Sequence, residues 1–135
     1  LSKNIEIVND VPEDTEVHAD EDTILTIIRN LISNAIKFTP NNGKIICSAT
    51  KQQINKKMIL ISITDSGVGI SEDKLNDLFT LGKEFSTYGT ENEKGTGLGL
   101  MLCKELVELN GGKIWAESKQ NEGSTFYFSL VANPS

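Results

Sequence analysis

Residues 30–38 form the second half of a long amphipathic helix, and they constrain the fold more than any other stretch of the chain. This helix is predicted to begin after Asp20, which can cap it, and to end before Pro40. At about 100° per residue, one broad face is apolar (Ile24, Leu25, Ile28, Leu31, Ile32, Ala35, Ile36). A narrow polar stripe lies opposite that face (Thr23, Thr26, Asn30, Asn34, Lys37). The helix is therefore expected to bury one side and to display amides on the other.

The polar stripe has two interpretations. It is the plain solvated face of an amphipathic helix, which is the common case, or it is a binding site. The residue types favour a site, because asparagine is a poor helix former and Asn30 and Asn34 are one turn apart, with Lys37 one turn further. Amide oxygens suit a hard cation such as Mg²⁺, and a lysine ammonium complements phosphate. The resulting hypothesis is a Mg²⁺-nucleotide that lies along this helix.

Composition indicates one soluble globular domain, because the chain has 135 residues, of which 38% are hydrophobic and 24% are charged. The net charge of -6 argues against a nucleic-acid surface, which needs clustered Lys and Arg. No apolar run approaches the ~20 residues of a membrane span, so we expect a cytoplasmic domain without membrane contact. Cys47 and Cys103 lie in apolar contexts without metal spacing, and we expect them to be buried free thiols.

Apolar patterning predicts six strands, two further helices and one long irregular segment. The strands are residues 4–8, 16–19, 44–53, 58–65, 113–117 and 124–131. One helix is predicted from Ser71, which can cap it, to about residue 79, and the other has its first apolar periodic residue at Leu98 and ends at Gly111 and Gly112. His18 ends the second strand, where a structural position is favoured over a catalytic one because no nucleophile pattern accompanies it. The order predicts an α/β two-layer sandwich with a mixed, mainly antiparallel sheet covered on one face by three helices.

Two glycine motifs flank the irregular segment at residues 80–95, which is a plain surface loop, a disordered stretch or a functional lid. Asp65 ends a strand and is followed by Gly67 and Gly69, a common loop arrangement that is weak evidence for a ligand. Residues 95–100, Gly-Thr-Gly-Leu-Gly-Leu, precede a helix, where backbone N–H groups attract an anion. Their spacing matches neither a Walker loop nor a dinucleotide fingerprint, so a phosphate site of another kind is predicted.

Together these motifs resemble the catalytic and ATP-binding domain of bacterial sensor histidine kinases, within the family of gyrase, mismatch-repair and heat-shock chaperone ATPases (the Bergerat fold). Residues 30–38 resemble its N box, 65–69 and 95–100 its first two glycine boxes, 78–85 its F box and 123–128 its last glycine box. The resemblance extends from about residue 5 to residue 130. It implies a sheet of about five strands, and it makes residues 1–135 a single catalytic domain.

The resemblance also implies roles for individual residues. Asn34 would bind Mg²⁺, with Asn30 as a second candidate ligand, Lys37 would reach phosphate oxygens and Phe38 would pack against adenine. Asp65 would accept a hydrogen bond from the adenine 6-amino group, assisted by Thr125 and a water. The glycine boxes would approach ATP through Gly67, Gly69, Ile70, Gly95, Thr96, Gly97, Leu98, Gly99 and Leu100. Lys83 or Lys94 would replace an arginine that many relatives carry near the terminal phosphate.

Three functions follow from the resemblance: a kinase domain, an ATP-hydrolysing relative, or a nucleotide-binding module without chemistry. Relatives that hydrolyse ATP carry a Glu as general base where this chain has Asn30, which favours phosphoryl transfer to an external acceptor. His18 does not lie in the helical context of a phosphoacceptor, so we expect an excised, monomeric domain. Its implied partners are the dimerisation domain of the same kinase, which carries the acceptor histidine, and a response regulator receiver domain.

Overall fold

The computed structural model describes residues 4–13, 15–17, 19–51, 58–79 and 98–132. Within them the strands are β1 (Glu6–Asp10), β2 (Lys44–Lys51), β3 (Met58–Asp65), β4 (Ile114–Lys119) and β5 (Gly123–Val131). The helices are α1 (Glu21–Phe38), α2 (Glu72–Asp77) and α3 (Leu98–Leu109). The predicted order of these elements is confirmed, with α1 and β3 close to their expected bounds.

The strands form one five-stranded sheet in the order β1-β2-β3-β5-β4. β1 runs parallel to β2, and the other neighbours are antiparallel, which confirms the predicted mixed sheet. In the central ladder Asp65 is opposite Ser124 and Thr64 is opposite Thr125. Because successive side chains of a strand point to opposite faces, these two pairs lie on different sides of the sheet.

One face of the sheet packs against the helices and supplies the core. The inward side chains of β3 and β5 are almost fully buried, including Ile61, Ile63, Phe126 and Phe128. The ring of Phe79, just after α2, meets that of Phe126 edge to face at 6.3 Å between centroids. The two-layer arrangement with the helices on one side is therefore confirmed. Asp65 and Ser124 lie on that helix-facing side of the sheet, whereas Thr125 lies on the other side.

Helix α1 has the predicted cap, but its buried face is displaced from the predicted one. The Asp20 carboxylate accepts a hydrogen bond from the Thr23 N–H at 3.0 Å, which satisfies one of the unpaired donors of the first turn. Ile27 and Leu31 are fully buried, whereas Leu25, expected on the buried face, is 40% exposed. The reason is that α1 packs against α3 as well as the sheet: the Cys103 Sγ donates to the Ile27 carbonyl at 3.6 Å.

Three smaller predictions were wrong. The strand expected at residues 16–19 is reduced, in its described part, to a single bridge between Val17 and Ala132. β1 begins and ends two residues later than predicted, because its parallel ladder with β2 runs to Asp10. The hydroxyl of Ser71 precedes α2 as expected but makes no capping hydrogen bond. The first two errors concern strands, whose extent is decided by ladder partners more than by local sequence, and the third concerns the cap of a short helix.

Candidate functional site

Asp65 ends β3 at the centre of the site and is only 5% exposed. Its Oδ1 accepts a hydrogen bond from the Gly67 N–H at 2.8 Å, and the backbone of Ser124 also donates to the carboxylate. Burial raises the pKa of Asp65, and the two backbone hydrogen bonds lower it by less. Because a carboxylate can accept about four hydrogen bonds, Asp65 keeps acceptor capacity for a ligand.

The loop after Asp65 lies directly against the end of α1 and the β4–β5 turn. The Val68 N–H donates to the Phe38 carbonyl at 3.2 Å, and a Cβ on Gly67 would collide with that same carbonyl oxygen. Gly69 has a φ of 77°, and a Cβ there would collide with the Lys119 carbonyl. Both glycines are therefore required by close backbone contact, which fixes this loop beside Asp65.

A serine that the sequence analysis missed joins the same loop to the β4–β5 hairpin. The Ser118 Oγ accepts a hydrogen bond from the Ile70 N–H at 2.7 Å and donates to the Gly123 carbonyl at 3.0 Å. It also lies 2.7 Å from the Ser124 Oγ. The only sequence signal for the position of Ser118 is the alternation of side chains along β4. It puts Ser118 on the same face as Ile114 and Ala116, which pack against the core.

The structure does not bring Thr125 to the Asp65 side chain, contrary to the expectation from the sequence. The Thr125 Oγ1 lies 3.1 Å from the Thr64 Oγ1 on the face of the sheet that the helices leave uncovered. Ser124 is the residue opposite Asp65 on the helix-facing side, and it is buried. The period of two along β5 therefore makes Ser124, and not Thr125, the hydroxyl neighbour of Asp65.

Asn30 lies at the contact between α1 and α3. Its Nδ2 donates to the Thr26 carbonyl at 2.8 Å, which turns the Oδ1 away from its own helix axis. A Cβ built on Gly99 would come within 2.7 Å of that Oδ1. Gly99 is the second residue of α3, so the Asn30 oxygen faces the first turn, whose backbone N–H groups have no partner within the helix. The structure thus joins the asparagine stripe to the second glycine motif.

Lys37 and Phe38 are less accessible than the sequence suggested. Lys37 was expected on an exposed stripe but is 8% exposed, with its Nζ 4.9 Å from the centre of the Phe38 ring. Phe38 itself is 4% exposed and belongs to the core. Ile70 and Leu100 are buried in the same cluster. All four of these predicted site residues are therefore buried.

Several predicted site residues lie outside the described part of the chain. These are Lys83, Lys94, Gly95, Thr96 and Gly97, together with His18. Leu98 opens α3. The predicted phosphate loop is therefore represented by its last residues, Leu98 to Leu100, and by the close approach of Gly99 to Asn30.

The side chains of the described residues are compatible with a magnesium ion that is bound together with a nucleotide. Among them, no group of three or more His, Cys, Asp or Glu side chains could hold a metal. The candidate oxygen donors that the sequence predicted are the side-chain amides of Asn30 and Asn34, which lie one turn apart on α1. Mg²⁺ commonly takes one or two protein oxygens and completes its shell with water and substrate phosphates, so this donor set suits Mg²⁺ bound with a nucleotide.

Comparison with known proteins agrees with this geometry. The profile of the family described as histidine kinase-, DNA gyrase B- and HSP90-like ATPases matches residues 19–134. The adaptive-response sensory kinase SasA of Synechocystis sp. is 40% identical over 129 residues, which cover 95% of this chain and 33% of SasA. This chain therefore spans about a third of the length of that relative.

Solved structures give the same result. The nucleotide-free catalytic domain of histidine kinase ThkA superposes with a TM-score of 0.78 at 33% identity, over 97% of this chain and 82% of that one. ThkA in complex with the response regulator protein TrrA gives a TM-score of 0.74 at 30% identity, over 97% of this chain and 35% of that one. In the described part of the chain no helix is long and apolar enough to cross a membrane. The chain belongs to the histidine kinase-, DNA gyrase B- and HSP90-like ATPase family, as a catalytic and ATP-binding domain of the sensor histidine kinase type.

Proposed function

We propose that this domain binds Mg²⁺-ATP and transfers the terminal phosphoryl group to a histidine on the dimerisation domain of a two-component sensor kinase. The observation that carries the proposal is the position of Asn30, whose amide oxygen faces the first turn of α3. An amide at this point can position a metal ion or its waters, but it cannot take a proton from water near neutral pH. The site therefore favours transfer over hydrolysis.

The base of the nucleotide would bind at Asp65. The carboxylate would accept a hydrogen bond from the adenine 6-amino group, because its two backbone donors leave acceptor positions open. Ser124, buried on the same face, would take the assisting role that the sequence analysis gave to Thr125. Ile70 and Leu100 would supply apolar surface, and Phe38 would support the adenine from within the core.

The phosphates would lie between α1 and the start of α3. The N–H groups of the first turn of α3, which have no partner within the helix, would face phosphate oxygens together with Gly95 and Gly97. Mg²⁺ held by Asn34, with Asn30 near its waters, would neutralise charge on the phosphates. Lys37 would reach a phosphate oxygen only after its ammonium leaves the Phe38 ring, and Lys83 or Lys94 would add a further positive charge.

The transfer step needs positioning rather than covalent help from this domain. The imidazole nitrogen of the acceptor would use its lone pair to form the P–N bond while the bond from phosphorus to the bridging oxygen breaks. ADP would leave with that electron pair, and the ring would release a proton to solvent. Asn30, Asn34 and Lys37 would hold the phosphates in line for this attack.

The partners follow from the relatives. ThkA is a histidine kinase solved with a response regulator, which supports a receiver domain as the next acceptor in the pathway of this chain. We also propose that the domain is cytoplasmic and monomeric on its own, that residues 1–135 form this one domain, and that it contacts neither nucleic acid nor membrane.

The test is to mix the purified chain with a separately produced dimerisation domain and labelled ATP. We expect slow turnover alone, labelled histidine on the added domain, and no label on His18. His18→Gln is the matched control and should leave transfer intact. Rapid hydrolysis without an acceptor, abolished by changing Asn30, would establish the ATPase function instead, and absence of ATP binding would refute both.

A further inference from the structure

We propose that Ser118 is a positioning residue that makes the base-binding end of the site selective for an amino group. It would do so by fixing the Ser124 hydroxyl as a hydrogen-bond acceptor beside Asp65 and by holding the loop that follows Asp65. This inference rests on the proposed function, since it concerns the same nucleotide site. Ser118 itself need not touch the nucleotide.

The hydrogen-bond partners of Ser118 determine where each proton lies. The Ser118 Oγ has three polar partners: the Ile70 N–H, the Gly123 carbonyl and the Ser124 Oγ. The Ile70 N–H can only donate, and the Gly123 carbonyl can only accept. A hydroxyl has one proton and two lone pairs, so the single Ser118 proton goes to Gly123. The remaining bond then requires Ser124 to donate and Ser118 to accept.

This assignment sets the polarity of Ser124. Its only hydroxyl proton points at Ser118, so the Ser124 oxygen has lone pairs alone to offer to a ligand. Ser124 is opposite Asp65 in the ladder, and both residues are buried on the helix-facing side. Two adjacent groups therefore present acceptors only. An exocyclic amino group satisfies them, whereas a carbonyl oxygen at the same place would leave buried acceptors unpaired.

Ser118 also controls the position of the loop. Ile70 ends the segment that begins at Asp65, and its N–H is held by the Ser118 Oγ, 48 residues away in sequence. The neighbouring Asn121 N–H donates to the Val68 carbonyl, so the hairpin holds the loop at two points. Removal of the Ser118 hydroxyl would free the Ile70 N–H and also release the Ser124 proton, which could then turn towards the ligand as a donor.

The experiment compares the binding of ADP and IDP by calorimetry without Mg²⁺. IDP replaces the 6-amino group with a carbonyl and keeps the same sugar and phosphates, so the ratio of the two affinities isolates recognition of that group. We expect the wild type to prefer ADP and Ser118→Ala to reduce the ratio about tenfold. Ser118→Thr keeps a hydroxyl and should preserve most of the preference. A purely structural defect would lower both affinities by the same factor.

Ser62→Ala is the matched control, because Ser62 pairs with Ser48 by a similar hydroxyl contact of 2.6 Å on the uncovered face of the sheet. The ratio of ADP to IDP affinity in Ser62→Ala should equal that of the wild type. An unchanged ratio in Ser118→Ala, an equal loss in Ser62→Ala, or no preservation by Ser118→Thr would each overturn the inference.

If Ser118→Ala does not fold, Ser124→Ala decides. It removes one acceptor but leaves the bonds from Ser118 to Ile70 and Gly123, so it should also lower the ADP preference, and a wild-type ratio would refute the inference. A wild-type chain that binds neither nucleotide would refute the proposed function. One that binds both equally would refute the selectivity inferred here while leaving nucleotide binding intact.

Discussion

The side-chain oxygen of Asn30 and the α-carbon of Gly99 lie so close that no other residue fits at position 99 without a shift, since a Cβ there would be 2.7 Å from Oδ1. Further along the same helices, Cys103 contacts the Ile27 carbonyl. The contacts proceed in opposite directions along α1 and α3, so the two helices are antiparallel. This packing brings the amides of α1 to the start of α3.

Gly99→Ala should therefore weaken nucleotide binding more than it changes stability. Alanine gains up to about 1 kcal/mol as a helix former, but overpacking against Asn30 costs about 1–3 kcal/mol, so a net loss of about 1 kcal/mol is expected. Relief requires the Asn30 amide to move and break its bond to Thr26. Urea unfolding and Mg²⁺-ADP titration measure the two effects, with exposed Glu105→Ala on α3 as control. A more stable variant with unchanged affinity would contradict this prediction.

Asn34→Ala should weaken the Mg²⁺-dependent part of ATP affinity and leave the Mg²⁺-free part unchanged. Loss of a protein oxygen from the metal should cost about tenfold or more, since even changes around metal ligands cost that much. Ser33→Ala is the control, because Ser33 is the preceding residue of α1 and is exposed. Titrations with and without Mg²⁺ measure the difference. An affinity that is unchanged both with and without Mg²⁺ would mean that the asparagine stripe is only a solvated face.

The sequence predicted most elements because hydrophobic period and turn residues are local signals. The apolar period of α1 located a buried face, but it could not reveal the second partner, α3, and so misplaced Leu25 and Lys37. Which hydroxyl residue lies beside Asp65, Ser124 or Thr125, could have been predicted from the alternation of inward and outward side chains along β5. Phe126 and Phe128 identify the inward face, which Ser124 shares. By contrast, the bond between Ser118 and Ile70 joins distant parts of the chain, and no local pattern encodes it.

Cys103 should resist thiol reagents in the folded protein. It is fully buried between α1 and α3, and burial raises the pKa of its thiol to about 12, so almost no reactive thiolate exists at neutral pH. Cys47 is only partly buried, although burial raises its pKa as well, and it should react first. In Cys47→Ser, labelling of the remaining thiol should follow global unfolding in urea. Equal labelling rates for the two thiols in the native wild type would contradict the tight α1–α3 contact.

Ionisation of Asp65 should lower the free energy of unfolding as the pH rises. The fall should begin in the ordinary pKa range of carboxyl groups and continue through the raised pKa of Asp65. Because burial raises its pKa, the folded state holds this proton more tightly than the unfolded state, and ionisation costs more in the folded state. The free energy of unfolding of Asp65→Asn should lack this contribution, so the variant should gain relative to the wild type as the pH rises. Urea unfolding from mildly acidic to neutral pH measures the difference, and an opposite slope would mean that the two backbone hydrogen bonds outweigh burial.

The preference for ADP over IDP should depend on the same Asp65 proton. It should increase with pH over the range in which the free energy of unfolding decreases. An ionised Asp65 carboxylate can only accept hydrogen bonds, whereas a protonated Asp65 could donate one to the carbonyl of IDP. The ADP to IDP affinity ratio should therefore fall as the pH drops through the raised pKa of Asp65. Both nucleotides carry the same phosphates, whose titration cancels in the ratio. Asp65→Asn also carries a donor, so its ratio should be low throughout and independent of Asp65 ionisation. Thr125→Ala, on the uncovered face, should follow the wild-type pH profile. If Thr125→Ala lost the pH dependence and Asp65→Asn kept it, the amino group would be recognised on the other side of the sheet, and Asp65 would serve only to hold the glycine loop.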